Sequence, residues 1–65
     1  MKNELSFIST VGAAMDLYGQ AFVLFESALN YLEEGKFNEA KQTRIFAEAI
    51  QQHAERVYLS SEEYI

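Results

Sequence analysis

A chain of 65 residues with one histidine and no cysteine allows a single small domain and excludes both disulfide bonds and an ordinary structural zinc site. Its hydrophobic fraction of 49% excludes a disordered chain. Because disulfides and zinc are excluded, association with another chain remains as the source of extra stability. The net charge of −5 opposes direct binding to nucleic acid and to anionic membranes and favours a protein partner.

The first predicted element is a helix over residues 4–33, with Asn3 as its N-cap. Polar residues interrupt the apolar stretch that follows, so we expect neither a signal peptide nor a membrane-spanning helix, and we expect a cytoplasmic protein. Apolar residues recur every seven positions, which is typical of a helix that packs lengthwise against a neighbour. The rows are Ile8, Met15, Phe22 and Leu29; Val11, Tyr18, Phe25 and Leu32; Ala14, Ala21 and Ala28; and Leu17, Leu24 and Tyr31.

Gly12 and Gly19 lie inside this helix, seven residues apart and therefore on one side of it. Each glycine costs about 1 kcal/mol relative to alanine in a helix interior. Two interpretations stay open: a second helix crosses closely over the pair, or the glycines are tolerated defects.

A tight turn over residues 34–36 is predicted next, because Gly35 follows a run of helix formers and can adopt a positive φ. A second helix over residues 37–59 then starts at or beside Asn38. Its seven-residue rows are Ala40, Ala47 and Ala54, and Thr43, Ile50 and Val57, flanked by Phe46 and His53.

The tail covers residues 60–65. Two serines followed by two glutamates at its start favour a capping box and a last short turn. Residues 64–65 are apolar, and we expect them to pack over Phe7 and Ile8. Docking of the tail on another protein is the alternative.

The two alanine rows predict the register of an antiparallel hairpin. Residues at the same level of such a hairpin have numbers that add to one constant, and here each pair adds to 68. The constant places the fold-back at residue 34, where the turn is predicted independently. Small side chains on both helices let the two axes approach closely. The predicted packing pairs are Ala14 with Ala54, Ala21 with Ala47, and Ala28 with Ala40.

The first helix carries more apolar surface than one amphipathic helix can cover, and the remainder is predicted to be an interface. The candidate interface residues are the row Met15, Phe22 and Leu29 or the row Leu17, Leu24 and Tyr31, depending on which side the second helix lies. We therefore expect an all-α, two-helix antiparallel hairpin over residues 1–65 that pairs as a homodimer into a four-helix bundle. Acceptance of a foreign helix in a small hetero-oligomer is the alternative.

The sequence contains no arrangement of residues that is typical of a catalytic site. His53 is the single histidine, and a bundle metal site of the Glu-x-x-His type would need an acid where Ile50 stands. There is no cysteine nucleophile, no phosphate-binding loop and no carboxylate pair at a catalytic spacing. We expect no enzyme activity, no catalytic or metal-binding residues and no cofactor.

Residues 28–47, which read ALNYLEEGKFNEAKQTRIFA, resemble the central part of a tetratricopeptide repeat unit. Tyr31, Gly35, Phe37, Ala40 and Ala47 carry the resemblance. It implies a helix–turn–helix that binds peptides or proteins, with small residues at the helix crossing. The overall plan is also similar to the two-helix co-chaperones of bacterial type III secretion.

The function expected from the sequence is that of a small acidic protein-binding module, a homodimeric adaptor or inhibitor of a protein target. The alternative is a co-chaperone that shields an amphipathic helix of a partner. The surplus apolar surface of the first helix motivates both expectations.

Overall fold

The computed structural model describes residues 2–64 and the side chains of residues 4–62. Helix α1 covers Lys2–Glu33, helix α2 covers Phe37–Ser60, and a short 3₁₀ helix, Ser61–Tyr64, follows. No strand occurs within residues 2–64. The helices pack against each other, which confirms the all-α class and the two-helix hairpin.

The beginning of α1 differs from the expectation. The helix already includes Lys2, so Asn3 is its second residue and the assignment of Asn3 as the N-cap is wrong. Helix ends are set by local hydrogen bonding and fray by one or two residues, which a capping preference alone does not resolve.

The turn between the helices satisfies the last carbonyl groups of α1. Gly35 has a φ of +78°, in the left-handed region that favours glycine. Its N–H donates to the Leu32 carbonyl at 3.0 Å, and the Lys36 N–H donates to the Tyr31 carbonyl at 2.8 Å. These two bonds form the Schellman pattern, which reverses the chain directly after a helix. As a result, α2 starts at Phe37.

The serines at the end of α2 bond back to the preceding turn. The Ser60 hydroxyl donates to the Val57 carbonyl at 2.7 Å, and the Ser61 hydroxyl donates to the Tyr58 carbonyl. The expected last short turn forms as the 3₁₀ helix, while the capping box stays a prediction because the side chain of its glutamate, residue 63, lies outside the described side chains. Ser61 is buried, and the 3₁₀ helix packs against both long helices.

The predicted packing of residues 64–65 over Phe7 and Ile8 lies outside the described side chains. Of its two targets, Phe7 is half-buried and Ile8 is exposed. This part of the expectation stays a prediction.

The core of the hairpin is a line of small side chains, which we call the alanine seam. Every buried apolar side chain among residues 4–62 is an alanine. Because both alanine rows are buried, they lie between the two helices. Which alanine of α1 faces which alanine of α2 stays a prediction. The seam residues are Ala14, Ala21, Ala28, Ala40, Ala47 and Ala54.

Gly12 and Gly19 do not mark a helix crossing within the hairpin. A Cβ built at either position meets no atom within 4 Å, and both residues are exposed. The interpretation of a close crossing is therefore wrong for the hairpin itself, because α2 packs on the opposite side of α1.

Candidate protein interface

The two sides of the alanine seam differ because α2 presents different residues to them. On one side, Thr43 and Ile50 stand four residues before and three after Ala47, and both are half-buried. On the other side, Arg44 and Gln51 stand three residues before and four after it, and both are exposed. Around Ala47, α2 therefore presents half-buried residues to one side of α1 and exposed polar residues to the other.

We call the side that Arg44 and Gln51 border the broad face. Its most exposed row consists of Met15, Phe22 and Leu29, with relative exposures of 60%, 64% and 59%. Apolar side chains on a soluble surface normally occur singly, and a continuous row of this kind is typical of an interface. The α1 residues of the broad face are Ile8, Val11, Met15, Tyr18, Phe22, Phe25, Leu29 and Leu32.

The opposite side, the narrow face, is better covered. Leu17, Leu24 and Tyr31 are half-buried there, and Leu24 lines a groove together with Ile50 of α2. Of the two candidate interface rows, the row of Met15 is therefore the uncovered one. The role of either row in binding stays a prediction.

A groove of about 360 Å³ lies on the broad face at the turn end of the hairpin. Phe25, Leu29 and Phe37 form its apolar wall, and Lys41 and Arg44 border it. Phe37 is exposed to 68% of its area, although it opens α2 directly after the turn. The groove extends the apolar row of α1 onto α2.

A second groove, of about 570 Å³, lies on the narrow face. Val23, Leu24, Phe46 and Ile50 line it together with Asp16. Phe46 and Val23 are exposed to 61% and 59%. The hairpin thus offers an apolar groove on each side of the seam, and the two grooves differ in the charge of the residues around them.

Ion pairs among the described residues are few and exposed. Lys36 pairs with Glu34 at 3.2 Å in the turn, and Arg44 pairs with Glu48 one helical turn further along α2. Exposed pairs of this kind contribute little stability. The charges of the two faces therefore bear on partner choice more than on folding.

The described residues hold no metal-site geometry. No group of three or more histidine, cysteine or acidic side chains comes together among them. His53 is exposed on α2. What the arrangement offers chemically is apolar surface with a charged border.

Helix α1 also meets the length and composition requirements of a membrane span over Glu4–Glu33, among the residues described. Only 11% of its most apolar stretch is buried within the hairpin. A mostly buried core helix of a soluble protein and a signal sequence near an N-terminus meet the same requirements, so one such helix is weak evidence for a membrane span. The sequence expectation, which rested on the polar interruptions, did not anticipate it.

Comparisons with known proteins give no family for this chain. No family model matches it, and neither the curated proteins nor the solved structures include a significant match. The two faces of the hairpin are therefore the structural indication of function. The resemblance of residues 28–47 to a tetratricopeptide repeat stays a prediction.

Three exposed residues of the candidate surface were not among the predicted interface residues. Phe37 and Phe46 lie on α2, and Val23 lies on α1 outside its seven-residue apolar rows. Phe46 stands seven residues after Glu39, at the border of the apolar stripe of α2. An aromatic side chain at that border is the sequence signal that could have identified it.

Proposed function

We propose that this chain is a protein-binding module that acts as a symmetric homodimer. Two hairpins bury their broad faces against each other as a four-helix bundle, and the acidic surface that remains binds a protein target as an adaptor or inhibitor. The proposal involves binding alone, with no catalytic step and no cofactor, and places the protein in the cytoplasm.

The main support for this proposal is the solvent-exposed area of the hairpin. The chain exposes 5040 Å², whereas a compact monomer of its mass exposes about 4,200 Å². The surplus is about 800 Å², which is the area that each partner contributes to a standard protein–protein interface. A second copy seated on the broad face would remove this surplus from water.

The dimensions of the hairpin agree with pairing. Its radius of gyration is 15.1 Å and its extents are 51 × 13 × 9 Å. A compact domain of the same number of residues has a radius of gyration of about 11 Å. A compact body of twice the length has a radius of about 14 Å. Two hairpins side by side thus approach the proportions of an ordinary domain without lengthening the rod.

Matched glutamate substitutions test the proposed interface. Phe22→Glu puts a charge in the middle of the broad face and should convert the dimer into a monomer, because a buried unpaired carboxylate is strongly unfavourable. Ile45→Glu is the control, since Ile45 is also exposed but lies on the side of α2 that faces away from α1. Light scattering after size exclusion gives the mass of each variant. Equal masses for the two variants would remove the broad face as the interface.

The groove at the turn end supports a second candidate, the co-chaperone. A foreign amphipathic helix seated on Phe25, Leu29 and Phe37 would replace the second copy. The two candidates differ in the behaviour of the pure chain. The dimer should unfold cooperatively at a temperature that rises with protein concentration, whereas a co-chaperone that needs its partner should lack a cooperative transition. Flotation of the chain with lipid vesicles would contradict both.

A further inference from the structure

The groove on the narrow face is the strongest unassigned feature of the hairpin. Half-buried Leu24 and Ile50 form its floor, and exposed Phe46 and Val23 form its borders. It lies across the alanine seam from the broad face, so a dimer formed through the broad face leaves it open. An apolar lining of this kind is what an amphipathic helix packs its apolar face against.

The charges around this groove are acidic at both ends. Asp16 lines the end nearer the start of α1. Glu39 stands seven residues before Phe46 and eleven before Ile50, so it lies on the same side of α2 and toward the turn. In the predicted register, where facing residues add to 68, Glu39 lies level with residue 29 of α1. The two carboxylates are then about 13 helical residues, or about 20 Å, apart along the groove.

The described lysine and arginine side chains lie elsewhere. Lys41 and Arg44 line the groove on the broad face, and Lys36 pairs with Glu34 in the turn. Arg56 stands nine residues after Ala47, which places it on the opposite side of α2 from the seam. His53 stands seven residues after Phe46 and so lies on the same side of α2 as the groove. Within residues 4–62, the fixed charges nearest the narrow-face groove are therefore acidic, beside one histidine, whereas lysine and arginine lie on the broad face.

We infer that the narrow-face groove binds a basic amphipathic helix of a target protein. The apolar side of that helix packs on Phe46, Val23 and Leu24, and lysine or arginine residues near its two ends meet Asp16 and Glu39. The inference rests on the proposed function, since it assigns the target of the dimer to the face that the dimer leaves open. Opposite charges at both ends of an apolar groove fix the position of the bound helix and select against acidic helices.

A designed peptide tests the inference. The probe is an amphipathic helix with leucines along one side and two lysines about 13 residues apart, which matches about 20 Å. Its matched control has glutamates in place of the lysines. Fluorescence anisotropy should show that the lysine peptide binds at least about tenfold more tightly, with one peptide per chain and with an affinity that falls as salt rises.

Variants of the protein locate the site. Phe46→Ala should weaken binding of the lysine peptide by about tenfold, because an exposed aromatic residue in a groove is a typical anchor. Asp16→Asn and Glu39→Gln should each weaken it by about threefold, the size expected for an exposed ion pair, and should leave the glutamate peptide unaffected. All three should keep the helical content and the mass of the unmodified protein.

The outcomes separate this inference from the proposed dimer. Equal affinity for the two peptides would overturn the inference, as would binding that Phe22→Glu abolishes and Phe46→Ala leaves unchanged. The mass of the chain is measured in the same solutions. A monomer that binds the lysine peptide through Phe46 would refute the dimer and keep the site, whereas a dimer that binds neither peptide would keep the dimer and refute the site.

Discussion

The two sides of the alanine seam share the same long helix but differ in how well it is covered. On the narrow face, Leu24 of α1 lies beside Ile50 of α2 and is half-buried, whereas on the broad face Phe22 has polar neighbours on α2 and stays exposed. The difference teaches that one amphipathic helix can cover only one side of a helix that is apolar over more than half its circumference. The uncovered side is available for association.

The largest expected effect comes from widening the seam itself. Ala47 has no exposed surface, so Ala47→Leu should push the helices apart and lower the free energy of unfolding by about 3 kcal/mol. Ala49→Leu is the control on the exposed side of the same helix and should change it by less than about 0.5 kcal/mol. Chemical denaturation measures both. Similar losses would mean that the seam is not closely packed.

A smaller effect compares the two faces directly, in the monomer that Phe22→Glu should produce. There, Leu24→Ala removes a half-buried side chain and should cost about 1.5 kcal/mol of unfolding free energy. Met15→Ala removes a side chain that the hairpin leaves exposed and should cost less than about 0.5 kcal/mol. Chemical denaturation of the double variants gives both values. Equal costs would show that the two faces are covered alike.

Effects of opposite sign are expected at the glycine of the turn and at a glycine of the helix. Gly35→Ala places a Cβ at positive φ and should destabilise the hairpin by about 1–2 kcal/mol. Gly12→Ala adds a methyl group to open space in a helix and should stabilise it by about 0.5–1 kcal/mol. Thermal unfolding monitored by circular dichroism detects the opposite signs. If Gly12→Ala destabilised the protein, another chain would have to approach that side of α1.

The parts of the fold that depend on local chemistry could be predicted from the sequence. Gly35 marks the turn because glycine alone combines positive φ with the end of a run of helix formers. The two alanine rows indicate where the helices meet because their spacing repeats every seven residues on both. The wrong assignment, Asn3 as the N-cap of α1, concerns a helix end, where several hydrogen-bonding patterns compete.

The choice between the two candidate interface rows could not be predicted from α1, because its apolar arc extends to both sides of the seam. It depends on α2, where Thr43 and Ile50 border one side and Arg44 and Gln51 border the other. The narrow-face groove was missed for a related reason. It combines Asp16 and Val23 of α1 with Phe46 of α2, and only the packed pair of helices brings them together.

The central claim is that the broad face of one hairpin is covered by the broad face of another. Sedimentation equilibrium of the unmodified chain at micromolar concentration tests it most directly. The account predicts twice the mass of one chain, with dissociation on dilution. A single-chain mass for a protein that unfolds cooperatively would contradict it.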